Sequence, residues 1–142
     1  MDQNAVYESD NIFAKILRGE MPCHKVFEDD VALAFLDIMP RTKGHTLVIP
    51  KAPARGFLDM PPALIGPFME RVQTVARAAV KGMEAEGLTL HQYNETAGGQ
   101  VVFHLHFHVL PRWEGVRLQP HTGELAQQDV LHAHKKKIRA AF

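Results

Sequence analysis

Seven consecutive residues, His104-Leu105-His106-Phe107-His108-Val109-Leu110, alternate between imidazole and hydrocarbon until the last step, and no other stretch limits the fold so narrowly. A helix would scatter the rings around a cylinder. On an extended strand, His104, His106 and His108 take one face while Leu105, Phe107 and Val109 take the other. The apolar face demands a core behind it. One surface histidine needs no explanation, but three in register satisfy no packing or solubility requirement. The strand is expected over residues 102–110, ending at Pro111.

The remaining elements follow from local chemistry. Ser9 or Asp10 is positioned to cap a short helix with Ile12, Phe13, Ile16 and Leu17 at helical spacing, ended by Gly19. Residues 25–27 and 31–36 are rich in strand formers, and Glu28-Asp29-Asp30 between them supplies the turn of a hairpin. After a loop with Pro40 and Gly44, residues 45–49 form a third strand, stopped by Pro50. Pro61 and Pro62 suit the first turn of a long helix, with Ile65, Phe68, Met69, Val72, Val75, Ala76 and Ala79 on its buried stripe. It is expected to run to Glu86, with Gly87 as its stop. A fourth strand over 88–93 leads into the glycine-bearing loop 94–100. The segment 123–142 is helix-prone, with Leu125, Val130, Leu131 and Ile138 as expected buried positions. The sum is an α+β domain with five strands in a mostly antiparallel sheet, one long and one short helix, and a C-terminal helix. Residues 1–9 read as a flexible N-terminal tail, 10–115 as the domain, and 116–142 as a helical extension packed on it.

Charge and cysteine content narrow the partners. The 142 residues carry 16 Lys+Arg against 16 Asp+Glu, a net charge of zero, which argues against broad capture of nucleic acid or anionic membrane. The single Cys23 excludes an internal disulfide and fits a reducing compartment. Without an apolar signal core near the N-terminus, a cytoplasmic location is expected.

Two chemistries compete for the histidine comb. Alternate strand residues lie about 6.6 Å apart, so neighbouring rings can share a metal ion, but all three reach one zinc only if the strand bends sharply. The second chemistry is nucleophilic: a neutral imidazole attacks through Nε2 while an acceptor holds its Nδ1 proton. His106 has a histidine on each side, and Gly98 and Gly99 in the preceding loop would let backbone N–H groups turn toward an anion.

The comb resembles the motif of the histidine triad (HIT) superfamily, His-φ-His-φ-His-φ-φ with φ apolar. Asn94, Gly99-Gln100 and Val102-Phe103, the run Phe35-Leu36-Asp37-Ile38, the run from Gly44 to Lys51, and Ile12-Phe13 with Ile16 match at comparable intervals. The likeness is to the Hint-like branch, bacterial type, and spans about Asn11 to Arg112. It implies the HIT-like fold and hydrolysis of purine nucleotide conjugates at the α-phosphate, of the nucleoside phosphoramidase type, by a homodimer that needs no cofactor. Dinucleoside polyphosphate hydrolysis, or nucleotide binding with incidental turnover, stand as alternatives.

By the same resemblance His106 is the nucleophile that forms a nucleotidyl-histidine. The His104 carbonyl holds its Nδ1 proton, the His104 ring joins a relay with His45, and His108 contacts phosphate oxygens or the leaving group. Asp37 takes the ribose hydroxyls, since a carboxylate accepts from two donors. Phe13, Ile16, Phe35, Ile38 and Leu47 form the slot for the base. Asn94 with Gly99, Gln100, Val101 and Val102 binds phosphate oxygens and the leaving group. Asn11 and Ala14 stand where some relatives have the cysteines of a structural zinc, so no metal is expected. Val101 replaces a common Ser or Thr, and the tail after Arg112 matches poorly. Trp113 stands open between capping the site, a dimer contact and simple packing, with packing favoured; Lys135-Lys136-Lys137 is read as a solvated face, while His121, His132 and His134 receive no role.

Overall fold

The computed structural model describes residues 6–121 and 123–142. The cap of α1 (Ile12–Leu17) is Asn11 rather than Ser9 or Asp10, and its Oδ1 accepts from the Ala14 N–H at 2.9 Å. The hairpin of β1 (Lys25–Glu28) and β2 (Ala32–Leu36) forms because Asp29 Oδ1 accepts from the N–H groups of Val31 and Ala32 at 2.8 and 2.9 Å. With β3 (Thr46–Pro50), β4 (Gly87–His91) and β5 (Phe107–Arg112), these strands build an antiparallel sheet in the order β1-β2-β3-β5-β4.

Register decides which side chains meet. Phe35 lies opposite Leu47, Leu47 opposite His108, and His108 opposite His91, so this row shares one face across four strands. The next row, Ala34, Val48 and Phe107, shares the other face. That second face is covered by α2 (Pro62–Gly82), whose Phe68, Val72, Val75 and Ala79 are buried with Ala34, Val48 and Val109 in the main core. The first face carries a smaller core of Phe13, Leu33, Phe35, Leu47 and Ile49, roofed by α1. Six helical residues cannot cover a five-stranded sheet, and the uncovered part is the cavity described below.

Three boundaries depart from the sequence reading. The long helix ends at Gly82, not Glu86, and the chain reverses through Glu84 at φ +53°. Beside this end runs α3 (Gln128–Arg139), which crosses so closely that a Cβ on Gly82 would sit 2.7 Å from the Lys137 carbonyl oxygen. Gly87 is not the helix stop but the first residue of β4, which ends at His91 rather than residue 93. The last strand starts at Phe107, so only His108 of the comb lies in a strand. Pro50 has no N–H with which to extend the ladder; its carbonyl accepts from the His104 ring, while Leu105 N–H donates to the Ala54 carbonyl at 2.8 Å. Leu105 and all three histidines are consequently buried, and the strict two-faced alternation fails before Phe107.

The C-terminal extension is helical over α3, with Leu131 and Ile138 in the main core. Leu125 and Val130 were expected inside but are 67% and 42% exposed, because only the stripe through residues 131 and 138 faces α2. The approach to α3 is pinned to the loop after β2: Gln119 N–H donates to the Arg41 carbonyl and Ala126 N–H to that of Ile38. Of the expected tail 1–9, residues 1–5 lie outside the described residues, and Tyr7 is docked against His104. No helix among the described residues is long and apolar enough to cross a membrane.

Candidate active site

His45, His104 and His106 are each oriented by a backbone group that can play only one hydrogen-bonding part, and His108 by His45 in turn. A backbone carbonyl only accepts, so His106 Nδ1, 2.7 Å from the His104 oxygen, carries its proton there. Burial lowers the pKa of His106 and keeps the ring neutral, although the carbonyl opposes the shift. The proton on Nδ1 therefore leaves Nε2 with a bare lone pair, and the ring lines the cavity. Edge-on contact with Phe13, 4.9 Å between centroids, limits its rotation.

The other rings follow by the same reasoning. His45 Nδ1 accepts from the Arg41 backbone N–H at 3.0 Å, so this ring, pushed down to about 3 first by burial and then by the Arg41 charge, is protonated on Nε2. His45 Nε2–H donates to His108 Nδ1 at 2.9 Å, which leaves the His108 proton on Nε2, on a ring that lines the cavity. Burial, then its histidine neighbours, hold His108 far below the ordinary value. His104 Nε2–H donates to the Pro50 carbonyl at 2.8 Å, and its Nδ1 accepts from the Tyr7 hydroxyl at 2.6 Å. Burial keeps that ring near 4. The relay partner of His45 is accordingly His108, not the His104 ring, which is occupied by Tyr7 and Pro50. Among the described residues no buried side-chain nitrogen or oxygen lacks a partner.

Beside the rings opens a cavity of about 740 Å³. Phe13, Ile16, Phe35, Ile38 and Leu47 line its apolar part, together with Ile12. Asp37 stands at the end of β2 with Oδ1 accepting from the Met39 N–H at 2.8 Å. Its Oδ2 is 3.6 Å from His45 Nε2, too long for a hydrogen bond, and burial raises its pKa. A half-buried carboxylate with spare lone pairs is stabilised by hydroxyl donors supplied from the cavity.

Asp37, His45 and His108 place three potential ligand atoms within 4.8 Å of one another. They do not fit a metal: the Arg41 N–H on His45 Nδ1 forces the proton onto Nε2, the atom that would have to be bare. Asn11 and Ala14 are joined instead by the α1 cap.

The loop before the histidines is built differently from the expectation. Gly98, Gly99 and Gln100 N–H groups donate to carbonyls of Glu95 and Thr96, inside the loop, rather than toward an anion. The Gln100 side chain accepts from Glu95 N–H and donates to the Arg55 and Val102 carbonyls. Asn94 Oδ1 accepts from the Phe57 N–H at 2.7 Å, and its Nδ2 donates to Gln92. These two side chains brace the loop; Glu95 is held there at φ +61° by Gln100 and by a bidentate pair with Arg55. Gly99, at φ +96°, with Val101 and Val102 does line the cavity, and Val101 is 84% exposed.

Several lining residues had no assigned role. Tyr93 and His121 stand beyond His108, with ring centroids 5.5 and 6.4 Å from it. Arg41 Nη1 lies 3.2 Å from His121 Nε2. At the opposite end the wall is made by His24 and by Gln128, His132 and Lys135 of α3. Alternation of His91 and Tyr93 was the one local sign of the first group; nothing local marks the second. Trp113 does not line the cavity; its Nε1 donates to the Glu84 carbonyl.

An open antiparallel sheet carrying a neutral, backbone-oriented imidazole at a ligand-sized cavity defines the class: a histidine-centred α+β ligand-binding domain. The HIT domain model matches residues 18–115. A Hit-like protein involved in cell-cycle regulation from Bartonella henselae is 46% identical and superposes with a TM-score of 0.92 over 97% of this chain and 100% of that one. A hypothetical histidine triad nucleotide-binding protein from Sulfolobus tokodaii is 30% identical, with a TM-score of 0.83 over 91% and 89% of the two chains. Adenylylsulfatase HINT3 of Arabidopsis thaliana is 34% identical over 132 residues, 89% of this chain and 67% of that one. The chain belongs to the HIT-domain family, a family of histidine-triad hydrolases and nucleotide-binding proteins.

Proposed function

We propose that the protein hydrolyses purine nucleotide conjugates at the α-phosphate, nucleoside phosphoramidates being the substrate class, through a covalent nucleotidyl-His106. The observation that carries this reading is the bare Nε2 of His106 on the cavity wall, with Nδ1–H committed to the His104 carbonyl. Nε2 attacks phosphorus, the phosphorus–nitrogen bond of the substrate breaks, and the amine leaves with a proton taken from water in the open cavity. Water then attacks phosphorus and releases the nucleoside monophosphate and neutral His106. His108 Nε2–H holds a phosphoryl oxygen throughout, its ring fixed by His45. Asp37 receives the ribose hydroxyls and the apolar slot receives the base. The name of the Arabidopsis relative, an adenylylsulfatase, supports attack at a nucleotide phosphorus.

The same reading includes a cytoplasmic homodimer. The dimer, though not the location, is supported by Leu88 and Leu90, both exposed on the edge strand β4.

His106→Ala tests the mechanism. Turnover of an adenosine phosphoramidate should be lost while AMP affinity stays within about threefold, because the ring acts chiefly in the transition state. With radiolabelled nucleotide, the label should travel with the peptide that contains residue 106. Near-normal turnover in the variant, or label that never reaches that peptide, would exclude His106 as nucleophile.

A further inference from the structure

The residues at the far end of the cavity from the histidine triad belong to α3, the part of the chain that the triad chemistry does not use. Gln128, His132 and Lys135 fall at i, i+4 and i+7, one stripe of the helix, while Leu131 and Ile138 on another stripe bury it against α2. The docking that places Leu131 in the core therefore turns the polar stripe toward the cavity. His24, one residue before β1, completes this wall; its ring meets that of His132 edge-on at 5.0 Å. The backbone joins this wall to the Asp37 end of the sheet, since Leu36 N–H donates to the His24 carbonyl at 3.0 Å.

The sheet gives the spacing. His108 is on β5 and His24 adjoins β1, three strands away in the order β1-β2-β3-β5-β4. Three strand spacings are about 14 Å. Between the two ends lie Leu47 on β3, Phe35 on β2 and Asp37 at the end of β2, all on the cavity wall. That sequence of surfaces, imidazole then apolar slot then polar wall, has the order of an extended nucleoside monophosphate: phosphate, sugar and base faces, and base edge. A purine extends further from its sugar than a pyrimidine does, and its outer edge carries hydrogen-bonding groups that an apolar slot alone would leave unpaired.

We infer that α3 reads the base: Gln128 and His132, with Lys135 and His24 beside them, hydrogen-bond the outer edge of a purine seated in the apolar slot, and so make the C-terminal extension the element that selects purine over pyrimidine. This rests on the reading that the cavity binds a nucleotide and goes beyond it by naming the residues that choose the base. Gln128 offers a donor and an acceptor, the His132 imidazole has two ring nitrogens that can pair, and Lys135 offers donors only, so the wall can meet a mixed edge. Gln128 and His132 are exposed apart from the ligand, and their replacement leaves the buried side of α3 intact.

The test is equilibrium binding of AMP, GMP, UMP and CMP to the full chain and to Gln128→Ala/His132→Ala, with Lys136→Ala on the solvated side of α3 as control. The double variant should lose about three- to tenfold in affinity for AMP or GMP, the range expected for one or two net hydrogen bonds, and less than twofold for UMP and CMP. Lys136→Ala should change nothing. Equal losses for purines and pyrimidines, or no loss at all, would overturn the assignment to α3 while leaving nucleotide binding in place. Absence of binding by any of the four nucleotides to the unmodified protein would overturn both readings together.

Discussion

Acid should destabilise this protein before most of its carboxylates titrate, because its buried imidazoles are neutral in the fold. An unfolded histidine takes up its proton near pH 6.5. His45 and His104 resist until about 3 and about 4, both chiefly through burial. Below pH 6.5 the unfolded chain therefore binds more protons than the folded one, and stability falls as the pH drops, levelling only once the folded rings titrate. Between pH 7 and pH 5 each ring that stays neutral costs about 1.9 kcal/mol, so these two together cost about 4 kcal/mol. His106 and His108 are lowered in the same direction and steepen the fall. Asp37, raised by burial, works in the opposite sense, since its protonation relieves the folded state. Urea unfolding at pH 7, 6 and 5, at constant ionic strength, measures the effect, and His45→Gln should reduce the drop from pH 6 to pH 5 by about 1.2 kcal/mol. A total fall below about 2 kcal/mol, the amount one ring alone supplies, would refute the neutral-ring account.

Two further perturbations address contacts between distant segments. Tyr7→Phe removes the donor to His104 Nδ1 inside the fold and should cost about 1–3 kcal/mol of unfolding free energy, measured in urea; a change below about 0.5 kcal/mol would show that the hydroxyl does not hold that ring. Gly82→Ala drives a Cβ to 2.7 Å from the Lys137 oxygen and 2.9 Å from Ile138 Cα, so it should destabilise by about 1–3 kcal/mol and loosen α3; a neutral or stabilising result would mean that the two helices separate freely.

Local rules made much of the molecule legible in the chain. Apolar periodicity marks α2, the Glu28-Asp29-Asp30 turn marks the first hairpin, and the second half of the comb, from Phe107 on, marks the last strand. The residues Phe13, Ile16, Phe35, Ile38 and Leu47, grouped by the family resemblance, all line the one cavity. Register and docking were not legible, since both depend on partners far along the chain. Pairing Leu47 with His108 puts the slot beside the triad, and α3, which crosses α2 closely at Gly82, supplies part of the cavity wall. Asn94 and Gln100 were read as ligand contacts because their side chains can bind one, but the turn at Glu95 claims those same atoms first. The proton positions depend most of all on distant groups. Which nitrogen of each ring is bare is decided by the Arg41 N–H, by the Pro50 and His104 carbonyls and by the Tyr7 hydroxyl. The amino-acid sequence determined that three imidazoles would stand within five residues, the second and third of them side by side at the cavity. Only tertiary structure decided which of them could act as a nucleophile, because a tautomer is chosen by whatever backbone the fold brings within 3 Å or so of the ring.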